Sequence, residues 1–235
     1  MILTLRILYS LSMDTSRNIY QAVIFDMDGT LLDTIEDIAD SMNAALESLG
    51  FPILPLEQYR DLVGDGIEVL AMRALPEEHR TAGNIAAGVK AMRDEYGARW
   101  SVKSRPFPGI PELLDGLKEM GIKLSILSNK LDDFTKEMAR SLLQNWRFDE
   151  IRGLVPSIPR KPDPAGAYLC AERMGVDPMH CIFVGDSAID MDTANRAGMA
   201  AFGALWGYQD RQRLIKHGAR VLLDVPRDLL GYLRM

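Results

Sequence analysis

The sequence predicts an α/β protein, with a doubly wound parallel sheet and an inserted helical domain, from three observations. An apolar run at 22–25 does not alternate with polar residues, which is typical of a strand that is covered on both faces. Helical periodicity without an intervening strand then continues to residue 99. After residue 110, strand and helix patterns alternate, and right-handed crossovers make such strands parallel.

The 235-residue length allows one substantial core and a smaller second unit. We expect 1–18 to be an amino-terminal extension, 34–104 to be a helical cap domain, and 19–33 with 105–235 to form the α/β core. The first twelve residues are too short to span a bilayer and lack a convincing cleavage site. They are predicted either to lie outside the fold or to add a strand to it.

The insert is predicted to contain only helices, and Gly50 ends the first of them. The predicted helices cover residues 35–49, 56–63, 67–75 and 76–99. Its two connections to the core, at 31–34 and 101–109, are the predicted hinges.

The core is predicted to alternate strands and helices, with Asp132 as a cap. The predicted elements are helix 111–120, strand 123–127, helix 132–143, strand 148–155, helix 164–174, strand 181–184, helix 188–197, strands 200–205 and 220–223, and helix 225–234.

Composition narrows the range of functions. The formal net charge of -6 argues against nucleic acid as the main partner, which would require clustered basic residues. Cys170 and Cys181 have neither disulfide density nor zinc-finger spacing, so they are predicted to be packing residues in a reducing cytoplasm. No apolar stretch is long enough to cross a membrane, and we expect no membrane partner.

Polar side chains follow the predicted strands at the point where each strand ends. Asp26 and Asp28 follow the first strand, Ser128 and Asn129 a second, and Asp186 a third. Because the carboxyl ends of parallel strands meet at one edge of a sheet, we expect these side chains to lie together. Neighbouring carboxylates repel each other, and a divalent cation with oxygen ligands would relieve that repulsion.

The same residues, with Lys161 from a proline-rich loop, provide what phosphoryl transfer requires: a nucleophile, cationic groups and a proton donor. The series Asp26-Met27-Asp28-Gly29-Thr30, Ser128-Asn129, Lys161-Pro162 and Gly185-Asp186-Ser187 with Asp190 resembles the four motifs of the haloacid dehalogenase superfamily, in the correct order. The insert, with Gly64-Asp65-Gly66 and Phe107-Pro108-Gly109, resembles the cap of the phosphoglycolate phosphatase-like branch.

The resemblance implies a covalent mechanism. Asp26 would attack phosphorus to form an aspartyl-phosphate, while Asp28 would protonate the leaving group and later activate water. Mg²⁺ would be held by the Asp26 carboxylate, the Asp28 carbonyl and Asp186. Ser128 would bind the phosphoryl oxygens and Lys161 would offset their charge.

The remaining site residues are given supporting roles. The resemblance implies that Thr30 orients Asp28 and that Asp190 orients a metal-bound water. Asn129 is predicted to bind phosphate, and Gly64 and Asp65 to contact substrate from the cap loop.

Each of these assignments has a structural alternative. Ser128 and Asn129 could form a polar turn, Lys161 could be a solvated loop residue with Arg160 sharing its role, and Asp186 could cap a helix. Asp65 could likewise cap the helix that follows it. Asp192 is predicted to be a surface residue.

The predicted function is Mg²⁺-dependent hydrolysis of a small phosphorylated metabolite, with 2-phosphoglycolate as the first candidate. A sugar phosphomutase, a pyrophosphatase of the same superfamily, and a non-catalytic binding protein on the same fold are the alternatives. The oligomeric state, monomer or homodimer, is left open.

Overall fold

The structure is a computed structural model that describes residues 19–234, so the predicted extension at 1–18 lies outside the described residues. The strands are β1 (Ala22–Phe25), β2 (Leu32–Asp33), β3 (Arg105–Pro106), β4 (Lys123–Leu131), β5 (Glu150–Leu154), β6 (Cys181–Gly185), β7 (Ala200–Ala204) and β8 (Val221–Leu223). The α-helices are α1 (Ile35–Ser48), α2 (Leu56–Leu62), α3 (Ile67–Ala74), α4 (Ala82–Arg99), α5 (Ile110–Glu119), α6 (Asp132–Leu142), α7 (Ala165–Met174), α8 (Ala188–Arg196), α9 (Arg211–Lys216) and α10 (Asp228–Leu233). Single 3-10 turns occur at Glu77–His79 and Pro178–His180.

The main sheet has six parallel strands in the order β5-β4-β1-β6-β7-β8, which confirms the predicted doubly wound α/β fold. β1 lies in the middle, with Phe25 opposite Ile126 on one side and Val184 on the other. From β1 the chain builds the sheet first towards β5 and then towards β8, so the strand order reverses here. Ligands of open α/β sheets bind at such a reversal, outside the carboxyl ends of the strands.

β1 is buried on both faces, as its unbroken apolar sequence indicates. Val23 and Phe25 belong to a core that includes the insert, α5, α6 and α10. Ala22 and Ile24 belong to a second core formed with α7, α8 and α9. Helices therefore cover both faces of the sheet, and β1 is fixed by packing from each side.

The insert consists of α1–α4 and lies between β2 and β3 in the chain. Tyr59 of α2 is fully buried and donates from its hydroxyl to Asn43 Oδ1 of α1 at 2.7 Å. The predicted helix 76–99 is wrong at its start, because α4 begins only at Ala82. Thr81 caps α4 by accepting a hydrogen bond from the Asn84 amide at 3.2 Å, which separates it from the preceding turn.

The two connections between core and insert pair with each other. β2 and β3 form an antiparallel ribbon in which Leu32 lies opposite Pro106 and Asp33 opposite Arg105. The sequence predicted hinges here but no strands, because a strand of two residues carries no periodicity.

Four further features differ from the prediction. β4 does not end at residue 127 but continues to Leu131 through an irregular register. Asp132 does not cap α6, since Leu131 is the cap residue; the Asp132 carboxylate instead accepts from the Gly153 amide at 3.0 Å. α9 was not predicted, and the final helix begins at Asp228 rather than at residue 225.

A buried carboxylate ties the return of the insert to its first helix. Asp37 of α1 is 1% exposed and accepts from the backbone amides of Lys103 and Ser104, at 3.0 and 2.7 Å, and from the Ser104 hydroxyl at 2.7 Å. Hydrogen bonds to a buried charged acceptor are among the stronger ones in proteins.

Asp37→Ala is expected to lower the free energy of unfolding by about 3 kcal/mol, because it leaves these donors without an acceptor. For a chain of this size the melting temperature should fall by roughly 6–12 °C. Asp40→Asn is the control on the same helix, because Asp40 makes only a half-exposed ion pair with Lys103 and should change little. Equal melting temperatures for the two variants would contradict this prediction.

Candidate active site

The acidic end of β1 is a tight turn closed by the Met27 carbonyl. That carbonyl accepts from the amides of Leu31 and Leu32 at 3.0 and 2.9 Å, and Gly29 adopts a left-handed φ of 84°. The turn presents Asp26 and Asp28 at the carboxyl edge of the sheet.

Asp26 lies against the ammonium group of Lys161. Lys161 Nζ is 2.9 Å from Asp26 Oδ1 and 2.7 Å from Asp190 Oδ1, and all three side chains are buried. Asp26 Oδ1 also accepts from the Met27 amide at 2.7 Å. Burial alone would lower the pKa of Lys161, but Asp190 and Asp26 raise it above its ordinary value.

Asp186 completes a cluster of three buried carboxylates. One oxygen from each of Asp26, Asp186 and Asp190 lies within 4.8 Å of the others, close enough to bind one metal ion. Burial, reinforced by the charge of Asp190, raises the pKa of Asp26 to about 7 and the pKa of Asp186 well above its ordinary value. The structure therefore places at this edge a cluster that needs additional positive charge.

The Asp186 carboxylate accepts two hydrogen bonds, one from a backbone amide and one from a side-chain hydroxyl. Its Oδ2 accepts from the Tyr208 amide at 2.8 Å, and its Oδ1 accepts from the Thr30 hydroxyl at 2.9 Å. The prediction that Thr30 orients Asp28 is therefore wrong: Thr34 has that contact, donating to Asp28 Oδ1 at 2.8 Å. The segment after Asp28 offers two hydroxyl groups, on Thr30 and Thr34, and its sequence does not distinguish them.

Asp190 is engaged on both oxygens. Besides the contact with Lys161, its Oδ2 accepts from the amide and the hydroxyl of Ser187 at 3.0 and 2.6 Å. Ser187 is the cap of α8, so the alternative that Asp186 caps this helix is wrong. Asp192 lies outside the cluster and pairs with His217 at 3.0 Å.

Ser128 and Asn129 reach the same edge but face different partners. Ser128 is buried and lines a cavity beside Asp26 and Asp28. The Asn129 amide donates to the carbonyls of Gly64 and Lys161, both at 3.0 Å, and accepts from the Lys161 amide at 2.8 Å. Asn129 thus connects the loop of the insert to the loop that carries Lys161, and its hydrogen bonds go to backbone.

The two insert-loop residues predicted to contact substrate, Gly64 and Asp65, lie in different surroundings. Gly64 lines the cavity, whereas Asp65 pairs with Arg73 at 2.6 Å and does not line it. The alternative that Asp65 caps α3 is also wrong, because Gly66 is the cap residue and makes no side-chain bond. Arg160 donates to the Asp65 carbonyl at 2.9 Å, which adds a second connection between this loop and the core.

Lys130 is a site residue that the sequence did not predict. Its Nζ lies 3.0 and 2.9 Å from the two oxygens of Asp28 and 4.5 Å from the centre of the Tyr96 ring. It follows Ser128 and Asn129 directly, and the available signal was its position at the same strand end. Lys130 reaches the site because β4 extends beyond residue 127, which the sequence did not predict.

The cavity above these groups has a volume of about 70 Å³, room for only a few water-sized groups. Its floor is polar, formed by the ends of β1 and β4. Its other walls are mostly apolar and come largely from the insert. The lining residues are Asp26, Asp28, Ile38, Val63, Gly64, Gly66, Ile67, Leu70, Met92, Tyr96, Ser128, Asn129, Lys130, Leu131 and Phe134.

Comparison with known proteins agrees with this geometry. The family model for haloacid dehalogenase-like hydrolases matches residues 23–204. Phosphoglycolate phosphatase of Aquifex aeolicus is 32% identical over 188 residues, covering 80% of this chain and 86% of that protein. Phosphoglycolate phosphatase of Neisseria meningitidis serogroup A is 34% identical over 202 residues, covering 85% and 86%.

A solved structure from Lactobacillus delbrueckii subsp. bulgaricus, provisionally assigned as a phosphoglycolate phosphatase, matches with a TM-score of 0.86 and 30% identity. The match covers 92% of this chain and 98% of that one. The chain belongs to the haloacid dehalogenase-like hydrolases. Within that family it is a phosphoric monoester hydrolase of the phosphoglycolate phosphatase-like kind. Within residues 19–234, no helix combines the length and apolar character that crossing a membrane requires.

Gly29→Ala is expected to displace the Asp186 carboxylate, because an added Cβ would lie 2.3 Å from Asp186 Oδ2. Gly121→Ala is the matched control: Gly121 also has a left-handed φ, of 69°, but its Cβ would meet no atom within 4 Å. The two variants carry similar backbone strain, and only Gly29→Ala should lower phosphatase kcat/KM, by about 10–100-fold. Equal loss of activity in both would show that strain, and not crowding of Asp186, is responsible.

Proposed function

We propose that the protein is a Mg²⁺-dependent phosphatase that hydrolyses a small phosphate ester, with 2-phosphoglycolate as the first candidate, through an aspartyl-phosphate. The observation that carries this proposal is the position of Asp26. Its carboxylate lies at the floor of the cavity, with Lys161 beside it and Asp28 across the same turn.

The donor set fits a hard divalent cation. Asp26, Asp28, Asp186 and Asp190 bring four carboxylates, and Lys130 and Lys161 bring two ammonium groups. With all of them ionised, two negative charges remain without a partner, and burial, reinforced by the charge of Asp190, raises the pKa values of Asp26 and Asp186. Asp26 and Asp186, with the Asp28 carbonyl, would hold Mg²⁺, which prefers oxygen ligands and retains several waters.

When bound, Mg²⁺ would supply positive charge to the phosphoryl oxygens. Within residues 19–234, both hydrogen-bond and ion-pair contacts of the Asp26 carboxylate go to Oδ1, so Oδ2 is the oxygen available for attack. The new Asp26–phosphorus bond forms as the bond from phosphorus to the leaving oxygen breaks. Asp28 enters this step protonated and transfers that proton to the leaving oxygen, so it ends the step as a carboxylate, while Thr34 and Lys130 hold it in position.

The second half of the reaction reverses the role of Asp28. Its carboxylate removes a proton from water, and the water oxygen attacks phosphorus, which releases phosphate and restores Asp26. Ser128 donates to a phosphoryl oxygen, and Lys161 offsets the charge that accumulates at Asp26. Asn129 acts by fixing the backbone on both sides of Lys161 rather than by binding phosphate directly.

We assign the insert, 34–104, the function of a cap that closes over the site and excludes water. A short leaving group, as in 2-phosphoglycolate, would lie between Asp28 and the apolar walls that the insert contributes. Incubation with a hexose 1-phosphate distinguishes a sugar phosphomutase, which would isomerise it, from a phosphatase, which would release free phosphate. A pyrophosphatase of the same family is the second candidate, and a panel of phosphorylated substrates would distinguish them. Buried, unpaired Cys170 and Cys181 are in keeping with a cytoplasmic enzyme.

Asp26→Asn is expected to reduce Mg²⁺-dependent phosphate release from 2-phosphoglycolate to about a thousandth of the native rate or less, because it removes the attacking oxygen. Asp192→Asn is the control, since Asp192 pairs with His217 outside the cluster and should leave the rate unchanged. Circular dichroism should show both variants folded. Sustained turnover by Asp26→Asn would refute the assignment of the nucleophile.

Mg²⁺ is expected to raise the melting temperature more at pH 8 than at pH 5. The pKa of Asp26 is about 7 without metal, so a proton competes for this ligand at pH 5 and is absent at pH 8. Without metal, the contribution of Asp26 to stability should decline as pH rises from about 4 to about 7, because the folded state retains a proton that the unfolded chain has released.

Thermal unfolding in EDTA and in excess Mg²⁺ at the two pH values tests this. At 100 times the Kd the stabilisation should be about 2.7 kcal/mol, roughly 5–11 °C. A Mg²⁺ effect of the same size at both pH values would contradict the assignment of Asp26 as a ligand.

A further inference from the structure

Two lysines with buried side chains contact different carboxylates of the site. Lys161 contacts Asp26 and Asp190, on the side of the proposed nucleophile. Lys130 contacts Asp28, the proposed proton donor, and its side chain is only 8% exposed. Among the described residues Lys161 has two carboxylate partners, whereas Lys130 has only one.

The position of Asp28 locates the leaving group, and this step rests on the proposed function. Since Asp28 must reach the leaving oxygen, the remainder of the leaving group extends past Asp28 into the cavity beneath the insert. The wall there is formed by Ile38, Met92, Tyr96 and Phe134. Burial of an unpaired carboxylate among such side chains is costly.

Lys130 is the only cation among the described residues that line this cavity. Two basic groups beside the insert loop are engaged elsewhere: Arg73 of α3 pairs with Asp65 at 2.6 Å, and Arg160, from the core loop that carries Lys161, donates to the Asp65 carbonyl at 2.9 Å. Among the described residues that line this cavity, Lys130 is therefore the cationic side chain that a negative charge on the leaving group would meet.

We propose that Lys130 is the specificity-determining residue, and that it selects phosphate esters whose leaving group is a short hydroxy acid. The ammonium group has three N–H donors and the Asp28 carboxylate accepts two, so it has capacity for a second anionic partner. The ring of Tyr96, 4.5 Å away, is a weaker partner that a carboxylate can replace. The carboxylate of 2-phosphoglycolate is of the right size and charge for this position.

A purely structural role for Lys130, in which it only positions Asp28, makes a different prediction. Such a role would affect every substrate equally, because every substrate uses Asp28. A role in selection would affect only substrates that carry the second negative charge.

The experiment compares 2-phosphoglycolate with ethylene glycol monophosphate, a neutral leaving group of nearly the same length. The wild-type enzyme should prefer 2-phosphoglycolate in kcat/KM by at least about tenfold, and Lys130→Met should abolish that preference. Thr34→Val is the matched control, because it removes a neutral contact to Asp28 at 2.8 Å. It should slow both substrates by the same factor and retain the preference.

Two further measurements separate loss of the Lys130 charge from misfolding and from a change in the rate of the chemical step. Lys130→Arg retains the charge and should retain the preference. In the Asp26→Asn background, Lys130→Met should weaken calorimetric binding of 2-phosphoglycolate by about tenfold or more and leave binding of ethylene glycol monophosphate unchanged.

Equal losses for both substrates in Lys130→Met, with the preference intact, would overturn the inference and leave the proposed phosphatase standing. A wild-type enzyme that hydrolyses ethylene glycol monophosphate but not 2-phosphoglycolate would overturn it too, and would also remove the substrate candidate. Failure of the wild-type enzyme on both esters with Mg²⁺ would instead count against the proposed function on which the inference rests.

Discussion

The contact on which the site depends is the buried ammonium group of Lys161 between Asp26 and Asp190. It joins the end of β1 to the first turn of α8 through a loop that has no regular structure of its own. Removal of one partner from a buried ion pair costs about 3–5 kcal/mol, since the remaining charge is left unpaired. Asp190 also sets the start of α8 through Ser187, so the same carboxylate fixes both a helix and a charge. Electrostatic balance at this edge therefore determines local structure as well as chemistry.

Asn129 extends this arrangement to the insert. Its amide is bonded to the backbone of Lys161 on one side and to the Gly64 carbonyl on the other. A shift of the insert loop would therefore displace the backbone of the lysine beside the proposed nucleophile. These hydrogen bonds connect the insert directly to the loop that carries Lys161.

Much of the fold follows from the sequence because its signals are local. The apolar run of β1 and the glycines that end α5 and α7 predict elements within a residue or two of their observed bounds. The convergence of Asp26 with Asp186 follows from the parallel sheet, as strand ends meet at one edge. The sequence could not show which side chains contact each other. Whether Thr30 or Thr34 contacts Asp28 depends on the path of the turn that follows Asp28. Lys130 was overlooked for the same reason, since its partner lies 102 positions away in the chain.

The β2–β3 ribbon joins the insert to the core through two segments that pair with each other. The outgoing and returning segments therefore form one two-stranded connection rather than two independent linkers. Thr34 follows β2 immediately and donates a hydroxyl hydrogen bond to Asp28. If the insert closes over the site as proposed, a hinge at this ribbon would also move Thr34, and the proton transfer proposed for Asp28 would then depend on the position of the insert.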